Sequence, residues 1–142
     1  MTVKCYSLDT NILADLIKNP GGRVKECIAK VGEAKICTSI IVACELRFGA
    51  RKKNAPLLTA RIERLLQAIE VLPFDGDSDR AYAEVRAMLE ALGRPSGAND
   101  LLIAAHAVNE DCILVTNNES EFVHVAGLVV ENWLASSESA KR

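Results

Sequence analysis

Short apolar runs alternate with longer stretches of helical spacing along the whole chain. Val3–Leu8 is an apolar run that stops at Asp9, which predicts a buried strand. Thr10 and Asn11 can open a helix that continues through Ile12–Lys18, and Asn19-Pro20-Gly21-Gly22 breaks it. Arg23–Gly32 has helical spacing in Val24, Cys27, Ile28 and Val31, and Lys35–Thr38 is a second strand. Ser39 can cap the next helix, which ends at Asn54-Ala55-Pro56. Leu57–Ile69 is helical, Glu70–Phe74 a third strand, and Ser78–Leu92 helical again. After the loop Gly93–Gly97, Asn99 or a neighbour caps a helix through Val108. Cys112–Val115 and Leu128–Glu131 predict the fourth and fifth strands.

Strands and helices therefore alternate from end to end, without an internal repeat or a low-complexity block. That order predicts an α/β protein in three layers, an α/β/α sandwich whose central, mostly parallel sheet has about five strands. One domain covers 1–134, and 135–142 form a small polar tail. In such sheets ligands sit beyond the carboxyl ends of the strands.

That end of the sheet collects acids. Asp9 follows the first strand. Glu45 lies about two turns into the helix after the second, with Ile41, Val42, Phe48 and Gly49 at i−4, i−3, i+3 and i+4. None is a cation, and a carboxylate in an apolar stripe is costly unless it is paired or binds a metal. Asp100 opens the helix before the fourth strand, and its neighbours Ile103, Ala104 and Ala107 repeat the pattern. Thr116-Asn117-Asn118-Glu119-Ser120-Glu121-Phe122 follows the fourth strand with further carboxylates. Singly, Asp9 and Asp100 read as cap or helix-start residues and Glu45 as a solvent-facing one. Together they read as a shared site for Mg²⁺ or Mn²⁺, since acids crowded into one cleft repel and such ions take oxygen ligands.

Bulk properties narrow the partners. The 142 residues are 49% hydrophobic and only 4% aromatic, so the core is aliphatic. A net charge of −2 gives no global attraction for nucleic acid, so any basic surface is local. Arg47, Arg51, Lys52 and Lys53 after Glu45, with Arg61 and Arg64 in the next helix, form a candidate strip for an RNA backbone or simply a solvated face. The five cysteines form no CxxC pair; Cys5, Cys37, Cys44 and Cys112 fall in apolar runs and read as small buried hydrophobes in a reducing cytoplasm rather than a disulfide framework or a zinc site. No leader or spanning segment is legible, which predicts a cytoplasmic protein with no membrane association.

Five stretches carry a family likeness. LDTNIL at Leu8–Leu13, ACELRFGA at Ala43–Ala50, GANDLLIAAHA at Gly97–Ala107 and LVTNNESEF at Leu114–Phe122 resemble the PIN-domain ribonucleases, and more narrowly the VapC-type toxins of bacterial toxin–antitoxin pairs. GLVVENW at Gly127–Trp133 resembles that family's end. The resemblance implies an endoribonuclease dependent on Mg²⁺ or Mn²⁺, a VapB-type antitoxin partner and a homodimer. It places the family's acids on Asp9, Glu45 and Asp100, with Asp9 and Asp100 on the metal and Glu45 on it directly or through water. Many members carry a fourth acid where this chain has Asn118; in the branch with Thr-Asn-Asn, Glu121 takes that part. The fourth ligand, and whether one metal or two is held, stay open. Thr10, Asn11, Thr116 and Asn118 would orient carboxylates and waters. The helices near Leu13–Ile17 and Leu57–Leu66 would offer an apolar surface to the antitoxin. His106 lies off the Asp100 face and reads as a buried structural residue.

Two other readings compete. An aspartyl-phosphate phosphatase would use Asp9 as nucleophile but needs an acid at position 11, where Asn11 stands. A metal-free interaction module would keep the sheet and need no cluster of acids.

Overall fold

The computed structural model describes residues 3–135, so the rest of the expected polar tail, 136–142, lies outside the described residues. In chain order the elements are β1 (Tyr6–Leu8), α1 (Thr10–Lys18), α2 (Arg23–Val31), β2 (Ile36–Ser39), α3 (Ile40–Lys53) and α4 (Pro56–Ala68). There follow β3 (Glu70–Leu72), α5 (Ser78–Ala91), α6 (Ala98–Asn109), β4 (Ile113–Val115) and β5 (Val130–Glu131). The strands are shorter than their apolar runs: β1 drops Val3–Cys5, and β3 stops before Pro73, which has no N–H to donate.

All five strands are parallel, in the order β3-β2-β1-β4-β5. The chain steps from β1 outward to β3 and then crosses to β4 on the other side of β1. Right-handed crossovers that reverse direction in this way put their helices on opposite faces, which gives the three layers. The reversal also opens a crevice beyond the carboxyl ends of β1 and β4, the usual binding place in such a sheet.

The core is aliphatic. Leu8, Ile12, Leu13, Val24, Val42 and Leu114 are fully buried, and Phe122 and Trp133 close its far edge. Local chemistry sets the element ends that frame the crevice. Asp9 caps α1 by accepting from the Thr10 N–H, and Ser39 caps α3 by accepting from the Ile41 N–H. Asn54 ends α3 in a left-handed conformation, φ 50°. Pro56 starts α4 where no N–H is needed.

Two expectations about cysteine fail. Cys44 is exposed, because the buried stripe of α3 runs through Val42, Ala43, Leu46 and Ala50. Cys5 and Cys112 form a disulfide, with Cα atoms 4.8 Å apart. The pairing follows from topology: Tyr6 is in register with Ile113, so the residues just before them stand side by side.

Candidate active site

Asp9 leaves β1 at the centre of the crevice and is 4% exposed. Its backbone N–H donates to the Val115 carbonyl, which ties it to β4. One carboxylate oxygen accepts from the Thr10 N–H and the other from the Thr116 hydroxyl, both at 2.8 Å. Thr116 is fully buried and accepts from the Asn118 N–H at 3.0 Å and the Asn11 amide at 3.4 Å. Its own proton is thereby directed at Asp9. Asn11 also accepts from the Asn117 N–H at 2.9 Å, so the loop after β4 is fastened to the start of α1.

Glu45 answers differently from its sequence pattern. Phe48 is 67% exposed, so the Glu45 face of α3 is the rim of the core rather than its interior. The carboxylate is held from two sides. The Thr10 hydroxyl donates to one oxygen at 2.5 Å and the Asn99 amide to the other at 3.2 Å. Asn99 is therefore a site residue and no cap: Gly97 stands at the N-cap of α6. Only the helix-start chemistry of Asn99 shows in the sequence, since its partner is 54 positions away.

Asp100 sits half-buried in the first turn of α6, above buried Ile103, Ala104 and Ala107. Burial raises its pKa, and Asp9, Glu121 and Glu45 raise it further in that order. Asp9 is raised chiefly by burial; the hydrogen bonds from Thr116 and Thr10 oppose this, and Glu45 adds to it. The four acids thus share one field. Their oxygens are nevertheless spread: among the described residues, the close group of three ligand atoms is that of Cys5, Cys37 and Cys112. Among the described residues no cation pairs with the acids either. The ion pairs among the described residues join Arg47 to Glu63, Arg80 to Asp77 and Arg86 to Glu90.

Glu121 is exposed, at the end of a single 3₁₀ turn, Glu119–Glu121. Asn118 contributes its backbone N–H to Thr116, as above. Asn132, which the sequence reading passed over, bridges Asn117 at 3.1 Å and Glu119 at 2.9 Å and steadies this loop. Arg47 is committed elsewhere, in a two-pronged pair with Glu63 of α4, both bonds 2.8 Å. Arg51, Lys52 and Lys53 remain exposed in the last turn of α3, where they also suit the helix dipole. His106 is buried, as its sequence context predicts, and contacts Ser39 rather than the acids.

Comparison with known proteins agrees with this architecture. The PIN domain family model matches residues 6–128. The tRNA(fMet)-specific endonuclease VapC of Shigella flexneri is 39% identical over 129 residues, covering 90% of this chain and 97% of that protein. Ribonuclease VapC2 of Rickettsia felis is 37% identical over 130 residues, with the same coverage. The crystal structure of DNA-bound VapBC from Salmonella typhimurium superposes with a TM-score of 0.85 at 34% identity, over 91% of this chain and 98% of that one. Extent and identity together establish that the chain belongs to the PIN-domain family, alongside the VapC ribonucleases.

Proposed function

We propose that this protein is a divalent-metal-dependent endoribonuclease, the toxin of a toxin–antitoxin pair, folded as a single nuclease domain over 1–134. The observation that carries the site assignment is the meeting of Asp9, Glu45 and Asp100 in the crevice between β1 and β4, with no cation paired to them among the described residues. Asp9 and Asp100, both with pKa raised by burial and without a counter-charge among the described residues, fit a hard dication such as Mg²⁺ or Mn²⁺. Asp9 and Asp100 would hold it, Glu45 would complete the ligand set, and Glu121 would reach it from the loop. When bound, such a cation activates water and neutralises charge on the phosphoryl group.

The rest is done by the chain. Thr116 fixes one Asp9 oxygen and so turns the carboxylate toward the crevice. Thr10 and Asn99 hold Glu45 in place before anything binds, which limits the reorganisation left for the reaction. Asn11 and Asn118 brace the loop that carries Glu121. The exposed Arg51, Lys52 and Lys53 lie six to eight residues beyond Glu45, about 9–12 Å along the helix, and would contact RNA phosphates.

An apolar groove of about 650 Å³ between α1, α2 and α4 is lined by Leu16, Ile17, Ile28, Leu65 and Ile69, with Arg61 and Arg64 among its walls. It would receive the VapB-type antitoxin. Leu16, Ile17, Arg61, Arg64 and Leu65 come from the two helix stretches expected to form it, while Leu13 is fully buried and Leu57, 66% exposed, lies outside the lining. A homodimer and a cytoplasmic setting complete the proposal; no described helix is long and apolar enough to cross a membrane.

The test combines purified protein and cells. Initiator tRNA, the substrate printed in the name of the Shigella flexneri relative, is incubated with the protein in chelator, Mg²⁺ or Mn²⁺. Cleavage should require the metal, and Asp9→Asn should lower it more than about 100-fold, beyond the usual loss for an outer partner. Without metal, Asp9→Asn should melt level with or above wild type. Asp9 is raised, so its charged form costs stability as pH climbs from 3.8 through the folded pKa, and the amide removes that cost. Expression alone should arrest growth, and sequencing of RNA ends should reveal the sites cut. Wild-type cleavage by Asp9→Asn would overturn the site; growth and RNA untouched by active protein would overturn the toxin assignment.

A further inference from the structure

Three sulfurs meet at the end of the sheet opposite the acids. Cys5 precedes β1, Cys112 precedes β4 and Cys37 lies in β2, on the other side of β1. Ser7 is in register with Cys37, and Tyr6 with Ile113. Because side chains alternate along a strand, Cys5, Ser7, Cys37 and Cys112 share one face. The Cys37 and Cys112 sulfurs are 3.8 Å apart, and all three lie within 4.8 Å of one another. Cys37 and Cys112 are buried; Cys5 is half-buried as a residue, and its place in the sulfur cluster is buried with the other two.

Two chemistries use three neighbouring sulfurs, and geometry separates them. Exchange of the Cys5–Cys112 disulfide with Cys37 needs the three sulfurs in line. With a normal S–S bond that line would separate the outer sulfurs by about 5.9 Å. The observed group is more compact, a triangle rather than a line.

A triangle is the shape of a ligand set. Tetrahedral thiolates at the usual zinc–sulfur distance of about 2.3 Å are about 3.8 Å apart. The Cys37–Cys112 separation already has that value. The Glu110 carbonyl oxygen lies 3.9 Å from the Cys5 sulfur and 3.8 Å from the Cys112 sulfur, close to the ~3.6 Å edge of a mixed sulfur–oxygen tetrahedron. We propose that the reduced protein binds a thiophilic divalent cation of the zinc class through Cys5, Cys37 and Cys112, with the Glu110 carbonyl or a water in the fourth place. A dithiol must first reduce the disulfide, becoming a disulfide itself and leaving two thiols; three protons leave as three thiolates bind the ion. A dication leaves one net negative charge in this buried place, whereas a monovalent ion would leave two. The ion would join β2, β1 and β4 at their amino ends, about 13 Å along β1 from Asp9.

Cadmium is the probe, because its thiolate charge-transfer absorption reports sulfur ligands and ignores carboxylates. The full-length protein is reduced with a dithiol, freed of it without oxygen, and titrated with Cd²⁺ alone. One equivalent should bind, with the absorption of three thiolates, and protein loaded first with Zn²⁺ should give the same absorption as Cd²⁺ replaces the zinc. The oxidised protein should show none. Cys37→Ser should weaken binding more than about 10-fold, while Cys27→Ser and Cys44→Ser leave it unchanged. If Cys37→Ser does not fold, Cys5→Ser at the half-buried position decides by the same loss. Absence of the absorption in folded, reduced wild type, or its persistence at full affinity in the Cys37 or Cys5 variant, overturns the site.

Discussion

The Thr10 hydroxyl donates to the Glu45 carboxylate at 2.5 Å, across 35 positions of sequence. The Thr10 N–H donates at the same time to Asp9. One residue at the start of α1 therefore fixes two of the three central acids, one through its backbone and one through its side chain.

Replacing that side chain separates the two tasks. Thr10→Val keeps the shape and the N–H but leaves Glu45 with Asn99 as its one donor among the described residues. RNA cleavage at limiting Mg²⁺ or Mn²⁺ should fall about 10–100-fold, through a higher metal requirement, with little change in melting temperature. Thr10→Ser should restore it. Cleavage rate against metal concentration for the three proteins checks this, and an unchanged metal requirement in Thr10→Val would remove Thr10 from the site.

The order of elements was legible in the sequence because every strand but one carries an apolar run ended by a turn or cap residue, as at Leu8–Asp9 and Thr38–Ser39. Asp9 was legible because it ends such a run, and Glu45 and Asp100 because their neighbours on the same helix face are apolar. What the sequence hides is long-range. Asn99 looks like a cap until the fold brings it to Glu45. Arg47 looks like a free cation until Glu63 of α4 meets it. The Cys5–Cys112 bond depends on β4 inserting beside β1, which strand order decides and local pattern does not. The stripe assigned to Glu45 was off by one helical position, because Phe48, the residue that seemed to extend it, faces solvent.

The Arg47–Glu63 pair divides the basic strip. A cation already bonded twice to a carboxylate has less to offer a phosphate than one facing water. Arg47→Ala should leave RNA affinity close to wild type. Changing Arg51, Lys52 and Lys53 together to Ala should weaken binding and flatten its dependence on salt, since each lost phosphate contact lowers the slope by about one. Affinity of the Asp9→Asn protein for an RNA fragment at several salt concentrations measures both. Equal effects of the two changes would mean that the pair opens when RNA arrives.

His106 makes stability depend on pH. The Ser39 hydroxyl accepts from the Ile41 N–H and so has its proton free for His106 Nδ1, 2.7 Å away. The second ring nitrogen, Nε2, is buried and makes no hydrogen bond of good geometry, while the Pro73 backbone acts to favour the ring's proton less strongly than burial opposes it. Burial lowers the pKa from 6.5, so the folded protein prefers the neutral ring. The unfolded chain takes up the proton first, and stability should fall as pH drops below 6.5 toward the folded value. His106→Gln should flatten that part of the curve while lowering stability at neutral pH. Denaturation midpoints between about pH 7.5 and about pH 5 test it, and parallel curves for the two proteins would assign the acid sensitivity elsewhere.

Glu45 and Glu121 rank differently at the site. Glu45 is half-buried and held by Thr10 and Asn99 before any ion arrives, so its carboxylate loses little freedom on binding. Glu121 is exposed at the end of a 3₁₀ turn and must be ordered when it engages, yet it acts on Asp100 more strongly than Glu45 does. Glu45 thus stands beside Asp9 by way of Thr10 and beside Asp100 by way of Asn99, and Glu121 lies within the field of Asp100. A pre-positioned ligand contributes more to affinity than one that must first be ordered. Glu45→Gln should therefore lower cleavage more than Glu121→Gln at limiting Mg²⁺ or Mn²⁺. Raising the metal concentration should rescue Glu121→Gln more fully, because an outer partner costs about 10–100-fold in affinity or activity and leaves the inner set intact. Initial rates against metal concentration on one RNA decide the order. Equal loss with equal rescue would give the acids one rank, and a larger loss for Glu121→Gln would make the loop after β4 the principal source of the ligand.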